Sequence, residues 1–510
     1  MRGLGCARLP VPRMRIAPGQ TIHVGGFMQL TGFLVVAPST VTVGETFQLG
    51  LKALCKPYFV GSACYRVIPQ LVGRYNVSPR GITYMDNVPP DWKGRVELRG
   101  EAGYDGPTEL VFDGKQGTFP GDKRPIYRVQ GLRFTEPGLK FITVRDPNTG
   151  VSAVSNPILV SEQPPAERLF WGDIHSQTIF SDGLRCPEEL YSFARDEAFL
   201  DIFALADHSE SLTDRQWEYF VGVTNDFNRP GSFATLVGFE WTNSKLGHRN
   251  VYYPGDAGPI LRCTDPVQGQ LSHVFEVARK HRALVIPHHS ANVTMGVDWS
   301  LGHDPEVERL AEIYSIWGNS ERLASAGNSR PIRNLGGEKP GQHVLDALKL
   351  GRKFGLIGGG DIHDGRPGDD LHVHQNKPEQ YKDLWRQGVM GVWAKELTRE
   401  AIFEALWNRR VYATTNVRVY LEFSVCGAPM GSVITERGRR PIRVRTASES
   451  PIAAIELVRN GGDWLRHQPN QRDVVWEVED RDFAAPAWYY ARATRADGEM
   501  AWSSPVWVEL

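Results

Sequence analysis

Five apolar runs in the middle of the chain each end in a carboxylate or an imidazole, and this pattern constrains the fold more than any other feature. LFWGDIH ends at Asp173 and His175, and FALADH at Asp207 and His208. LVGFEW ends at Glu240, with His248 a few residues later in GHRNVYY. LVIPHHS ends at His288 and His289, and LIGGGDIHD at Asp361 and His363. Between the runs lie stretches with helical periodicity, PEELYSFARDEA, SHVFEVARKH, QHVLDALKLGRK and REAIFEALWNRR. Strand-like runs alternating with amphipathic helices predict an α/β unit with a mainly parallel sheet, open or closed into a barrel. Such folds gather functional groups at the carboxyl edge of their strands. Five strand ends would then aim their acids and imidazoles at one mouth.

The residue types suit metal ions. Neutral imidazole binds zinc, iron and other first-row ions, and a carboxylate can bridge two of them. Asp173-Ile-His175 and Asp361-Ile-His363 have the period of two that puts both side chains on one face of an extended strand. Each motif alone also fits a strand-end hydrogen-bond pair; together they point to a polynuclear metal site. One of the adjacent His288 and His289 is expected to ligate. In GDIHSQTIFSDG, His175, Gln177 and Asp182 share one tight bend, which is either a metal loop or a polar turn. Asp207 is a candidate to orient a water or shuttle its proton. Arg249 and Arg366 neighbour candidate ligands and have the geometry to hold a phosphate, or else to pair with the acidic rim. His372 and His374 read as part of a loop outside the ligand set. Trp171, Trp241 and Trp317 read as packing residues near strand ends.

The flanks differ from the centre. Residues 25–165 and 419–510 carry β-branched and alternating runs broken by Gly and Pro, which predict two β-sandwiches. Residues 166–418 form the α/β unit between them, and 1–24 an N-terminal extension. With 510 residues, the chain exceeds what one core supports. Its net charge of −1 provides no overall basic field, so no nucleic-acid partner is expected. No run has the apolar length of a membrane helix, and the basic start lacks the apolar stretch of a secretory signal. A cytoplasmic protein with a small, anionic substrate is the expectation, with the oligomeric state open. Six cysteines make no disulfide scaffold, although Cys55 and Cys64 have the spacing to close a small loop.

GDIHSQTIFSDG, ADHSES, GFEW, IPHHS and GGDIHD, in that order, resemble the PHP (polymerase and histidinol phosphatase) superfamily. RRVYATTNVRVYLEFSVCGAPMGS and AWSSPVWV narrow the resemblance to DUF3604 proteins. It covers roughly residues 170–510. The resemblance implies a distorted (β/α)7 barrel holding two or three divalent ions, zinc, manganese or iron, and hydrolysis, usually of phosphoesters. By motif position it implies His175, Asp182, His208, Glu240, His248, His288 or His289, Asp361 and His363 as ligands, with Glu240 bridging. Gln177 stands where the family has the second histidine of His-x-His. The expectation is therefore a metal-dependent phosphoesterase. The same centre acting on amides, esters or lactones, and a metal-containing binding protein, are the alternatives. The segment from about Glu167 onward is expected to be the smallest active unit.

Overall fold

The computed structural model describes residues 29–61, 83–118, 122–369, 371, 384–481 and 485–510. His372, His374, Cys64 and the 1–24 extension lie outside the described residues. Cys55 is a buried free thiol, so it does not close a loop with Cys64.

The N-terminal region is a β-sandwich. Leu30–Val36, Phe47–Cys55, Ile126–Phe134 and Tyr104–Asp105 form one sheet. Ser152–Val154, Ile142–Arg145, Gly94–Gly100 and Glu109–Phe112 form another, and Gly138–Lys140, Ile158–Ser161 and Thr40–Thr42 a small third one. Alternation sets the faces. In Gly94–Gly100, Val96 and Leu98 turn inward while Arg95 and Arg99 are exposed. The two larger sheets feed one core that includes Phe33, Leu49, Leu51, Leu98, Val129 and Ile142.

The central region departs from the expected (β/α)7 barrel. Arg168–Asp173, Ile202–Phe203 and Ala234–Thr235 pair in parallel, as do Leu310–Ser315 and Gly355–Gly358. Val237–Trp241, Arg249–Tyr253 and Leu284–Pro287, however, pair antiparallel in a sheet of their own. A short polar loop joins the first two of these, where a parallel neighbour would need a crossover helix. The region is therefore a mixed, sheet-rich unit.

Helices still cover its faces. Pro187–Asp196 starts with proline and two glutamates, which suit a helix N-terminus, and buries Leu190, Tyr191, Phe193 and Ala194. Val344–Lys349 and Arg399–Trp407 lie within the stretches read as helical, and Leu271–His281 starts one residue before its own. Asp214–Phe227 is an additional helix, capped reciprocally by Thr213 and Gln216.

The C-terminal strands continue a central sheet. Arg168–Asp173 pairs with Val389–Ala394, which pairs with Val411–Thr414, and that strand pairs with Met500–Ser503. From there the sheet runs through Ala487–Arg495 to Arg440–Arg459 and Tyr420–Val425. Arg440–Arg459 loses register with Gln471–Asp480 between Ala447 and Ile452. Its second half pairs instead with Gly462–His467 and Ala487–Arg495. Central and C-terminal residues share one hydrophobic core, from Leu169 to Val508. Among the described residues, no helix is long and apolar enough to cross a membrane.

Candidate metal centre

Three groups of imidazoles and carboxylates converge where the central strands end: Glu240 with His248, His288 and His289; His175 with His288, Glu312 and Asp361; and Asp182 with His208 and His363. In each group, one ligand atom per residue lies within 4.8 Å of the others. His288 is common to two groups. Glu240 reaches all three, with its oxygens 2.8 Å from His248 Nδ1, 3.4 Å from His208 Nδ1 and 3.5 Å from both His175 Nε2 and His288 Nε2. Asp182 Oδ1 sits 3.3 Å from His208 Nε2 and 3.2 Å from His363 Nε2.

The backbone is shaped around these groups. Asp173 does not face the centre as a ligand. Its carboxylate accepts from the His175 and Gly360 amides (2.9 and 2.8 Å) and from Ser176 Oγ (3.2 Å), tying the two Asp-x-His loops together. Burial pushes its pKa up to about 6. A Cβ at Gly360 would lie 2.4 Å from Asp173 Oδ2, and one at Gly359 would lie 2.0 Å from Glu312 Oε2. The Gly358–Gly360 run thus lets two buried carboxylates approach the chain. Asp361 (φ +49°) and His289 (φ +32°) are left-handed, a conformation that non-glycine residues hold only when their surroundings impose it.

That backbone separates side chains expected to act together. Asp361 and His363 do not share the extended face that their spacing predicts. The left-handed turn instead sends Asp361 towards His175 (3.4 Å) and His363 towards Asp182. His288 and His289 both face the centre, rather than one of them, with ring centroids 4.2 Å apart.

Electrostatics sort the rings. Burial disfavours a charged His175, but Asp361 and Glu312 outweigh it and hold its pKa well above the usual value. Burial is likewise outweighed at His208 by Glu240 and Asp182, and at His363 by Asp182, and both are raised. Burial and the neighbouring His175 lower His288 to about 4; burial with His288 and His248 takes His289 well below its usual range. These last two are neutral, the form that ligates.

The residues fit divalent metal ions. Among the described residues, both ring nitrogens of His288, Nδ1 of His289, Oδ2 of Asp361, Oε1 of Glu312 and Oε1 of Gln177 are buried without a hydrogen-bond partner. Each such atom costs about 1–3 kcal/mol if left unsatisfied. Mixed imidazole and carboxylate donors are what first-row divalent ions accept. Access is uneven. The side chains of Asp182 and His208 are each 16% exposed, whereas those of Glu240 and His288 are 1% and 0% exposed.

Glu312 was not singled out from the sequence. Its Oε2 is 2.9 Å from His175 Nδ1, while His175 Nε2 faces Glu240 and Asp361. A carboxylate behind a ligating imidazole fixes its tautomer and raises its basicity. Glu312→Gln is therefore expected to weaken metal binding about 10-fold or more while leaving the fold intact. Titration calorimetry checks this, and unchanged affinity would remove Glu312 from the centre.

The remaining candidates serve the frame. Asp207 Oδ1 accepts from Thr178 N, Thr178 Oγ1 and Ser181 Oγ at 2.9, 2.8 and 2.6 Å, which fastens the His175–Asp182 loop. Arg249 is buried and donates to Glu308 (2.8 Å) and to the Leu246 and Gly247 carbonyls. Arg366 is buried against Asn87, Asp86 and Asp369. For these two, the pairing alternative describes the geometry. Trp171 and Trp241 pack in the core, and the Trp317 ring lies 6.2 Å from that of His363.

Uncharacterized proteins of Chlamydia muridarum and Chlamydia pneumoniae are 30% and 28% identical, over 406 and 401 residues. Each match covers 74% of this chain and 63% of the relative, so the chain spans less than two thirds of their length. A solved two-domain protein of Bacteroides vulgatus, containing a predicted PHP-like metal-dependent phosphoesterase, aligns with 68% of this chain and 98% of its own. The identity is 15% and the TM-score 0.35. The model of DUF3604, a protein family of unknown function, matches residues 185–322 and 352–431. That match contains His208, Glu240, His248, His288, His289, Glu312, Asp361 and His363, while His175, Gln177 and Asp182 precede it. Through these residues the chain is similar to the DUF3604 family.

Proposed function

We propose that the chain is a metal-dependent hydrolase of small anionic esters, with phosphoesters as the substrate class. The observation that carries the reading is one carboxylate, Glu240, lying within 3.5 Å of four imidazoles drawn from three adjoining groups. Two or three divalent ions, zinc, manganese or iron, are the proposed complement. Bound there, such ions would lower the pKa of a coordinated water and polarise the ester oxygen.

The protein's part is to hold the donors. Glu240 and His288 link the groups, Glu312 orients His175, and Asp207 braces the loop that carries Asp182. A catalytic site keeps an open position, whereas a structural one is closed by protein ligands. The partly exposed Asp182–His208 edge supports substrate approach from that side.

Gln177 tests the ligand assignment. Its Nε2 donates to Glu240 Oε2 (2.8 Å) and to the Ala206 carbonyl (3.3 Å), and lies 3.4 Å from His175 Nε2. An amide is a weaker ligand than imidazole for these ions. Gln177→His is expected to raise zinc occupancy and resistance to chelators. Equal stoichiometry and equal resistance in both proteins would place Gln177 outside the ligand shell.

A panel of phosphate esters assayed beside amides, esters and lactones, with and without chelator, tests the activity. Chelator-sensitive turnover of phosphoesters is expected. Turnover confined to the acyl panel would transfer the centre to acyl hydrolysis. Metal bound without turnover of either class would make this a metal-containing binding protein.

A further inference from the structure

We propose that the N-terminal sandwich is part of the metal centre's support: Lys52, Asp86 and Asn87 are positioning residues that clamp the loop carrying Asp361 and His363. The proposal rests on the reading of the three groups as metal sites. The loop begins with these two ligands and continues to Arg366 and Asp369. The Arg366 guanidinium donates to Asn87 Oδ1 at 2.7 Å, Asp86 Oδ1 at 3.3 Å and Asp369 Oδ2 at 2.5 Å. Lys52 Nζ donates to the same Asp369 oxygen at 2.8 Å.

Lys52 belongs to the sandwich strand Phe47–Cys55, and its side chain is 0% exposed. That of Arg366 is 1% exposed. Two cations are therefore withdrawn from water beside two carboxylates, Asp86 and Asp369, that are 7% and 14% exposed. A buried ammonium persists only where partners compensate it. Here the compensation crosses the boundary between the sandwich and the loop.

The clamp is stiff on both sides. Asp86 Oδ1 also accepts from the Asn87 and Val88 amides at 2.7 and 3.2 Å. The Phe193 ring lies 5.1 Å from Lys52 Nζ and 4.8 Å from the Arg366 guanidinium, distances at which a cation is attracted to an aromatic face. On the loop, Gln387 holds the Arg366 carbonyl at 3.0 Å and the Gly368 amide at 2.8 Å. Such over-determination is what the left-handed Asp361 requires. Asp361 and His363 belong to two different groups. A tilt of the loop would therefore displace one donor in each.

The test uses the full chain. Lys52→Met and Asn87→Ala are loaded with zinc and, separately, with cobalt(II), whose visible absorption reports its ligand field. Lys52→Met is expected to keep its far-ultraviolet circular dichroism, bind zinc about 10–100-fold more weakly and give an altered cobalt spectrum. Asn87→Ala, which leaves no charge unpaired, should move both readouts in the same direction by less. A folded Lys52→Met with wild-type zinc affinity and cobalt spectrum would overturn the clamp. If Lys52→Met does not fold, Asn87→Ala decides: unchanged affinity and spectrum overturn the clamp. A wild-type chain that binds neither metal would instead overturn the metal-centre reading, and the clamp with it.

Discussion

Glu240→Ala is expected to strip metal from the centre and abolish turnover. Glu240 is 2.8–3.5 Å from four imidazoles. It also accepts hydrogen bonds from Gln177 Nε2 and Thr242 Oγ1 at 2.8 and 3.3 Å. Without it, the four rings lose the one carboxylate that all of them share, and only Asp182, Glu312 and Asp361 are left to offset a cation. Metal affinity should fall at least about 100-fold, the upper end of what loss of a mere supporting group costs. The fold should survive, because the carboxylate stands among ligands rather than in the apolar core. Elemental analysis alongside circular dichroism checks both halves. A folded variant with full metal content and full turnover would remove Glu240 from its bridging place.

Metal removal is expected to lower the thermal midpoint, by an amount that grows with pH. A ligand that binds only the folded chain stabilises it by about 4 kcal/mol per site at 1,000 times its Kd. In the metal-free protein, Asp361 and Glu312 hold His175 well above its usual pKa near 6.5, against the effect of burial. Glu240 and Asp182 do the same for His208. A histidine raised on folding contributes stability that is fully present below its unfolded pKa and is lost as pH rises through its folded pKa. The metal-free chain therefore loses this contribution from about pH 6.5 upward. Metal binding must displace those protons, so affinity rises over the same interval. Melting curves with and without chelator should diverge as pH is raised from 6 to 8. Curves that coincide at every pH would mean that the three groups hold no stabilising ion.

The ligands that follow strands were legible because a strand end is a local feature, marked by an apolar run and then a polar residue. His175, His208, His288 and Asp361 were found that way, and Glu240 as the penultimate residue of the run that forms Val237–Trp241. Glu312 lies inside Leu310–Ser315, whose six residues are all buried. The available signal was a lone charge within an apolar strand, and tertiary packing decides whether such a charge meets an imidazole. The divergence of Asp361 from His363 depends on a positive φ, which the period of two does not foresee. The glycines before it were the visible trace, since their missing Cβ atoms admit Glu312 and Asp173. For Arg249 and Arg366 the choice between holding an anion and pairing with a carboxylate stayed open in the sequence because Glu308 and Asp86, their partners, are 59 and 280 residues away in the chain. The barrel failed at the antiparallel pairing of Val237–Trp241 with Arg249–Tyr253. There Val237–Trp241 lies in a run read as a strand, whereas Arg249–Tyr253, its antiparallel neighbour, was not among the strand-like runs.

The central claim is that these three groups hold metal ions. Anomalous diffraction from crystals of zinc-loaded protein, recorded on both sides of the zinc absorption edge, tests it most directly. Edge-dependent peaks are expected between Glu240 and the histidines around it, and a peak among Asp182, His208 and His363. Zinc-loaded crystals with no edge-dependent peak at any of the three groups would contradict it.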